Sequence, residues 1–191
     1  MRHRKAAQPF RMFPEAVPTE QRHLPVDGRS TQTAGVEFVI RPYRAADFDR
    51  LWEIDQICFP PGIAYSQMDL TGFVTRRNAI TLVAEFAEGA KEARPENIAG
   101  FAVAQPSRQT GRILTLDVVP EARRFGLGSR LMQECEARLK ARGCTAVYLE
   151  TAVNNEAGLK LYQKLGYRIL RTLPEYYHAQ KLDAFLLGKQ F

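Results

Sequence analysis

The chain has 191 residues, 45% of them hydrophobic and 25% charged, with a formal net charge of +6. This length supports one sizeable core with an appendage and is short for two full domains. No apolar run approaches the ~20 residues of a membrane span and no signal-like apolar segment follows the basic N-terminus, so we predict a soluble, cytoplasmic protein without membrane contact.

The three cysteines show no pattern of a metal site or a disulfide framework. Cys58, Cys135 and Cys144 lack C-x-x-C spacing and have no histidine at ligand spacing. Zinc sites and disulfide-rich folds depend on such regular patterns. We therefore predict three thiols and no bound metal.

Half of the positive charge lies at the start of the chain. Residues 1–36 hold six Arg or Lys and three Asp or Glu side chains, a balance of +3, together with four prolines. Such a segment has no apolar periodicity with which to fold, and an RNA-binding arm would interleave aromatic residues with its charges. We predict a flexible tail over residues 1–35, no direct nucleic-acid binding, and one domain over residues 36–191.

Strand and helix patterns alternate from Val36 to Pro120. The segments are VEFVIRPY (strand), AADFDRLWEIDQICF and MDLTGFVTR (helices), and AITLVAEFA, NIAGFAVAQ and RILTLDVV (strands). Period-2 and period-3.6 patterns distinguish the two types of element. The last three strands leave no room for intervening helices, which predicts an antiparallel meander.

The hydrophobic period changes after Pro120. Apolar residues recur every four positions, as on one face of a helix, and a glycine at position 143 ends the pattern: Leu127, Leu131, Cys135 and Leu139. The remaining segments are AVYLETAV (strand), NEAGLKLYQKLG (helix), YRILRTL and DAFLLGK (strands). The whole pattern predicts a mixed α/β domain.

The stretch EARRFGLGSRLM, residues 121–132, places two arginines and two glycines just before the first of these later helices. Gly126 and Gly128 allow backbone N–H groups to approach a ligand closely, and a helix N-terminus favours an anion. Arg123 and Arg124 add positive charge. The stretch is neither a P-loop nor a dinucleotide fingerprint. Alone, it fits a phosphate site or a simple helix start with solvated arginines equally well.

Two motifs together resemble the GNAT superfamily of N-acetyltransferases. LTLDVVPEARRFGLGSRLM resembles its strand, R-x-x-G-x-G loop and helix, and NNEAGLKLYQKLGY resembles a later helix of the family. The resemblance extends from about Val36 to the C-terminus. It implies an α/β (α+β) fold with a mixed, mainly antiparallel sheet of about seven strands, splayed between the fourth and fifth and flanked by about four helices. It also implies acetyl-CoA as the cofactor.

The same resemblance implies which residues bind the coenzyme. Backbone N–H groups from Arg124 to Ser129 would hold the pyrophosphate, and the strand from Leu116 to Val118 would pair with the pantetheine. Asn155 would contact the coenzyme arm. The implied cofactor-binding residues are Leu116, Asp117, Val118, Arg123, Arg124, Phe125, Gly126, Leu127, Gly128, Ser129 and Asn155.

Three further segments resemble enzymes that acetylate protein N-termini, including ribosomal-protein alanine acetyltransferases. They are YLETAVNNEAGLKLYQKLGY with Glu150, the helix-to-helix loop CFPPGIAYS, and TLPEYYH with its paired tyrosines between the last two strands. By this resemblance, a protein N-terminal peptide, for example that of a ribosomal protein, would be the partner. The implied peptide-binding residues are Phe59, Pro61, Tyr65, Tyr176 and Tyr177.

The chemistry of acetyl transfer can be compared with these residues. An amine must be neutral to attack a thioester, and an α-amine with a pKa of about 8 reaches that state more readily than a lysine at about 10.4. Glu150 could accept the amine proton, directly or through water, and Tyr162 could protonate the leaving sulfur. Their alternative roles are a solvated edge-strand glutamate and a core-packed tyrosine. The N–H of Val118 is the candidate oxyanion donor.

These observations favour an acetyl-CoA-dependent enzyme that acetylates the α-amine of a protein N-terminus by direct attack in a ternary complex. The alternative is a GNAT acetyltransferase for a small-molecule amine, such as a polyamine, an antibiotic or a metabolite. A third class, a non-catalytic acyl-CoA-binding or RNA-associated module, is disfavoured because Glu150 and Tyr162 are both present.

Overall fold

A single mixed sheet organises the computed structural model, which describes residues 36–87 and 95–191. Within those ranges the strand order is β1-β2-β3-β4-β5-β7-β6. The strands are β1 (Phe38–Pro42), β2 (Ile80–Phe86), β3 (Ile98–Ser107), β4 (Thr110–Val118), β5 (Ala146–Ala152), β6 (Arg168–Tyr177) and β7 (Leu182–Gln190), and the helices are α1 (Phe48–Cys58), α2 (Gln67–Val74), α3 (Leu127–Ala141) and α4 (Glu156–Lys164). The predicted tail, residues 1–35, lies outside the described residues.

The two helices between β1 and β2 have clear local causes. Helix α1 buries Leu51 and Ile54, and it ends at Cys58 because the two prolines that follow Phe59 cannot continue a helix. Helix α2 begins after Ser66, whose hydroxyl accepts a hydrogen bond from the Asp69 N–H at 3.2 Å. The loop between these helices is therefore fixed at both ends.

The predicted antiparallel meander is confirmed, since β1, β2, β3 and β4 pair with one another in sequence order. A bulge interrupts β4. Val103 pairs with Thr115 and Ala104 with Ile113, so Leu114 is an extra residue without a partner on β3. An extra residue reverses the alternation of side chains along a strand.

The bulge decides which face of the sheet the later residues of β4 occupy. A Cβ at Gly111 would lie 2.5 Å from Leu139 of α3, so the side of β4 on which Gly111 lies faces that helix. Beyond the bulge, Leu116 faces α3, because its side chain lies 3.8 Å from a Cβ built at Gly128. Thr115 and Asp117 consequently point to the opposite face.

Strands β4 and β5 diverge, as predicted for the fourth and fifth strands. They pair in parallel only from Thr110–Ala146 to Arg112–Tyr148, while β4 continues to Val118. The Val119 N–H donates to the Ala99 carbonyl on β3. Because the backbone N–H and C=O groups of successive residues in a strand point to opposite sides, those of Val118 point away from β3 and into the opening. The later half of β4 therefore presents a backbone edge beside the gap.

The C-terminal elements complete the sheet with one difference from prediction. The apolar stripe of α3 is buried as expected, and Gly143 follows the helix with a left-handed φ of +83°. Strand β7 lies between β5 and β6. The paired tyrosines, expected between the last two strands, instead lie at the end of β6, after an irregularity where Glu175 has a φ of +47°. None of the described helices is long and apolar enough to cross a bilayer.

Candidate active site

The loop that leads into α3 presents a run of backbone donors. Arg124 and Gly126 have left-handed φ values of +67° and +80°, an alternation that turns successive N–H groups toward one concave side. Within the described parts of the chain, the N–H groups of residues 124–129 donate to no backbone or side-chain acceptor. The first turn of α3 contains no acidic residue. The loop thus offers positive potential and unsatisfied donors to an anion.

The side chains around this loop have distinct positions. Phe125 and Arg124 are exposed, while Leu127 is buried and anchors the helix start in the core. Gly128 allows α3 to approach α4, because a Cβ at that position would lie 3.3 Å from Leu161. Ser129 is half-buried.

Arg123 is held against the end of β4 although it is exposed. Its Nε donates to the Val118 carbonyl at 2.9 Å, and that carbonyl also accepts from the Cys58 thiol at 3.3 Å. Burial, reinforced by the Asp117 carboxylate, raises the pKa of Cys58 to about 11. Cys58 is therefore a neutral thiol at physiological pH, and the end of α1 is tied to the edge of β4.

The three predicted strand residues do not present the same groups to the opening. Leu116 and Val118 direct their backbone groups into the gap, whereas the Asp117 carbonyl faces β3, where it would collide with a Cβ at Gly100. The Asp117 side chain is fully buried and accepts a hydrogen bond from the Thr115 hydroxyl at 2.6 Å. Its carboxylate therefore acts on neighbouring groups through its charge.

Glu150 is part of a partly buried ion pair that sequence reasoning missed. Arg112 donates to Glu150 Oε2 from Nε at 3.0 Å and from Nη2 at 2.8 Å, and Nη2 also reaches the Tyr176 hydroxyl at 3.3 Å. The two side chains of the pair are 16% and 14% exposed. Burial, the largest single effect, would lower the pKa of Arg112, but the charge and hydrogen bond of Glu150 together with the phenols of Tyr176 and Tyr148 outweigh it and raise that pKa. Glu150 borders the gap between β4 and β5, but it is not a solvated glutamate, since its side chain is 14% exposed and paired with Arg112.

Tyr162 lies on α4 within reach of the charges of Asp117 and Tyr177. Its side chain is buried, with its ring centroid 5.9 Å from that of Tyr167. Burial raises the pKa of Tyr162, and the charges of Asp117 and Tyr177 raise it further. The phenol is thus protonated at neutral pH, which is the form that a proton donor requires, and its phenolate would readily regain a proton.

Asn155 has a structural role that the motif alone did not reveal. Its Oδ1 accepts from the Gly158 N–H at 3.0 Å and its Nδ2 donates to Thr151 at 2.9 Å. A Cβ at Gly158 would collide with the Asn155 amide, so the glycine leaves space for this cap. The contact with the coenzyme arm stays a prediction, beside a clear function as the N-cap of α4.

The loop between α1 and α2 is rigidly held. The Tyr65 N–H donates to buried Asp55 at 2.6 Å, and the Tyr65 hydroxyl donates to the Leu114 carbonyl at the bulge at 3.0 Å. The carbonyl of exposed Pro61 accepts from Gln180 Nε2 at 2.6 Å. The loop therefore contacts the turn between β6 and β7, which is another pairing that local sequence patterns could not reveal.

The two predicted peptide-binding tyrosines differ in exposure. Tyr177 is 5% exposed and packs in a cluster with Ile63 and Ala184, against which Phe59 also packs. Tyr176 is half-buried, and its ring meets that of Tyr177 edge-on at 5.1 Å. Tyr176 therefore has its hydroxyl at the ion pair, whereas Tyr177 contributes to packing.

The diverging strands and the loop before α3 agree with the fold that the sequence resemblance implied, and sequence comparison shows the family. The chain belongs to the acetyltransferase (GNAT) family, whose model matches residues 48–167. It is therefore an acyltransferase, and this family uses acetyl-CoA.

Individual relatives are more specific. The chain is 29% identical to an N-alpha-acetyltransferase of Sulfurisphaera tokodaii over 81% of its own length and 93% of that protein. It is also 29% identical to the ribosomal protein bS18-alanine N-acetyltransferase of Salmonella typhimurium, over 43% of this chain and 55% of that one. Among solved structures, a NatC complex bound to Gag peptide and CoA is similar, with 25% identity, a TM-score of 0.68, and coverage of 81% and 99%.

Proposed function

We propose that this acetyltransferase acetylates the α-amine of a protein N-terminus. The observation that carries the proposal is the charge balance where β4 and β5 diverge. There the Glu150 carboxylate is paired with Arg112, and the Asp117 carboxylate is fully buried and bonded to Thr115. The similarity to an N-alpha-acetyltransferase over most of both chains supports the same conclusion.

The charge balance bears directly on the small-molecule alternative. Polyamines and many antibiotic amines carry several positive charges, which require several carboxylates to replace their hydration. The Glu150–Arg112 pair adds no net negative charge, so that of these two carboxylates only buried Asp117 does, and Tyr65, Tyr148 and Tyr176 surround the region with rings and hydroxyls. Such amphipathic side chains suit a short peptide with one reacting amine.

The donor-rich loop fits the coenzyme. Six N–H groups without acceptors among the described residues, and the arginines at positions 123 and 124, would hold the pyrophosphate. The backbone edge at Leu116 would hydrogen-bond the pantetheine amides, and the Val118 N–H beyond it would face the thioester carbonyl, since the Val118 carbonyl already accepts from Arg123 and Cys58. When bound, acetyl-CoA supplies an acetyl group activated as a thioester.

The residues of this chain would then move two protons. Glu150 accepts a proton from the substrate amine, directly or through water, as the N–C bond forms. The Val118 N–H, directed into the opening, stabilises the charge that develops on the carbonyl oxygen. Tyr162 donates its phenolic proton to the departing sulfur as the C–S bond breaks. Protons and charge balance, because the phenolate recovers the proton that the amine releases.

Direct transfer makes a prediction for Cys58, the thiol that bonds to the Val118 carbonyl. Because its pKa is raised to about 11, it is almost entirely protonated at neutral pH and is a weak nucleophile. We expect Cys58→Ala to retain kcat close to wild type. Intact-protein mass spectrometry after incubation with acetyl-CoA alone should show no acetylated protein. An acetyl adduct that Cys58→Ala removes, together with its activity, would indicate a covalent route instead.

The proposed function is tested by the range of accepted amines. Release of the coenzyme thiol is measured with acetyl-CoA and, separately, a library of N-terminal peptides, spermidine, and an aminoglycoside. We expect turnover with a subset of peptides, and none with those peptides when their α-amines are blocked. Faster turnover with spermidine or the aminoglycoside than with any peptide would replace this proposal with the small-molecule alternative.

A further inference from the structure

Arg112 occupies the point at which β4 and β5 separate. It pairs with Tyr148 in the last parallel register position of the two strands, and Glu150 follows two residues later on the same face of β5. The guanidinium therefore reaches from the closed end of the gap to the carboxylate at its open part. The two strands pair through backbone groups alone, so the pairing does not explain why position 112 carries a charged side chain.

The bonding pattern fixes one oxygen of the carboxylate. Arg112 Nε and Nη2 both donate to Oε2 of Glu150, at 3.0 and 2.8 Å, and neither donates to Oε1. The guanidinium carbon lies 6.0 Å from the centroid of the Tyr148 ring, and Nη2 contacts the Tyr176 hydroxyl. Contacts on three sides limit the rotation of Arg112, and two donors on one oxygen limit the rotation of Glu150.

We propose that Arg112 is a positioning residue that holds Oε2 of Glu150 so that Oε1 accepts the proton of the substrate amine. This inference rests on the proposed role of Glu150 in the proposed function. A planar guanidinium with two converging donors does this better than an ammonium group, which would bind as a point charge. Tyr176, at the end of β6, supports the guanidinium from the side of the proposed peptide-binding residues.

The alternative is a pair that serves only stability. Buried ion pairs gain little net stability, because desolvation offsets most of their attraction. The chain offers a matched pair for comparison, since Lys189 Nζ lies 2.7 Å from Glu136 Oε2 and those side chains are 23% and 7% exposed. That pair joins β7 to α3. Breaking the Lys189–Glu136 pair shows the effect of losing a half-buried ion pair while the position of Glu150 is unchanged.

Four variants test the proposal by kinetics as a function of pH: Arg112→Gln, Arg112→Lys, Glu150→Gln and the double variant Arg112→Gln/Glu150→Gln. Among the described residues, Glu150 interacts with Arg112 on β4 and Tyr148 on β5, Tyr176 on β6 contacts Arg112, and Leu186 opposite Glu150 on β7 carries no charge. Loss of the neighbouring cation makes a carboxylate easier to protonate. We expect Arg112→Gln to lower kcat/KM about tenfold or more, less than the roughly hundredfold loss expected when the acid–base group itself is removed, and to move the acid limb of kcat/KM to higher pH.

The other variants sharpen the result. Arg112→Lys should recover part of kcat and restore the acid limb toward wild type, because it retains the charge. The double variant should be no slower than Glu150→Gln alone, since a residue that acts through Glu150 has no effect once that carboxylate is absent. Calorimetric affinity for coenzyme A should stay unchanged. Lys189→Gln should shift the thermal unfolding midpoint without changing the pH profile.

The proposal is overturned if Arg112→Gln leaves the acid limb in place, or if the effects of Arg112→Gln and Glu150→Gln multiply in the double variant. Should Arg112→Gln fail to fold, Arg112→Lys supplies the test through kcat, because an ammonium group holds Oε2 only as a point charge and should leave kcat below wild type; a wild-type kcat for Arg112→Lys would contradict the proposal. Kinetics are measured with the best peptide, or with spermidine if wild type acetylates only that amine. In the second case the proposed function fails while the role of Arg112 is still measured.

Discussion

Tyr162→Phe should lower kcat about a hundredfold, the typical contribution of a general acid, while the dissociation constant for coenzyme A changes little. The substitution removes only the hydroxyl and keeps the ring that packs against Tyr167. Since burial and Asp117 raise the pKa of Tyr162, the phenol should also retain its proton throughout an assay from pH 6 to about 9. Steady-state kinetics and calorimetry of the same preparation measure both effects.

Tyr167→Phe is the matched control for that variant. Tyr167 is also buried, and its pKa is raised by burial and by Glu136, a residue of α3 away from the gap between β4 and β5. Its hydroxyl should be dispensable for turnover. If a folded Tyr162→Phe enzyme keeps a rate near wild type, or if Tyr167→Phe is equally slow, Tyr162 has no specific role as the acid.

Gly126→Val should abolish measurable affinity for coenzyme A at concentrations that saturate the wild type. Gly126 has a φ of +80°, and a β-branched residue in that region costs on the order of 1–2 kcal/mol, so the backbone would move. A Cβ at Gly126 would meet nothing within 4 Å, so this effect comes from the backbone alone. Movement of the loop would misdirect the N–H groups of residues 124–129.

Gly143→Val is the control because it carries the same strain at the other end of α3. Gly143 has a φ of +83°, and a Cβ added there would also meet nothing within 4 Å. It should lose similar stability on thermal unfolding but keep the wild-type calorimetric affinity. Gly126→Asn should recover part of the binding, because asparagine tolerates a left-handed φ. Wild-type affinity in a folded Gly126→Val protein would locate the phosphate-binding site elsewhere.

Elements governed by local physics were predictable from the sequence. The apolar stripe of α3, the glycine that follows it and the succession of strands before it each depend on residues close together in the chain. The splay between β4 and β5 came only from resemblance, since strand pairing depends on partners distant in sequence. For the same reason, no residue pattern indicated that β7 lies between β5 and β6.

The candidate site also combines features that nearby residues determine with features that depend on residues distant in sequence. The loop at Gly126 was predictable because glycine gives the backbone conformational freedom and arginine adds positive charge, and both properties can be read from the residue type alone. The pairing of Arg112 with Glu150 could not be predicted, because 38 residues separate them and their contact depends on the parallel register of two strands. The bulge at Leu114 also had no local signal, although it decides which face Asp117 occupies. Tyr177 looked equivalent to Tyr176 until packing distinguished them.

The central claim, acetylation of a protein N-terminus, is tested most directly with one peptide that has a free α-amine and an internal lysine. An α-amine is partly neutral at pH 7, whereas a lysine ε-amine is mostly protonated and lies on a flexible stem that is difficult to orient. The peptide is incubated with enzyme and acetyl-CoA, and fragmentation by mass spectrometry locates the acetyl group. We predict that the acetyl group is found on the α-amine. Preferential acetylation of the lysine would contradict the account.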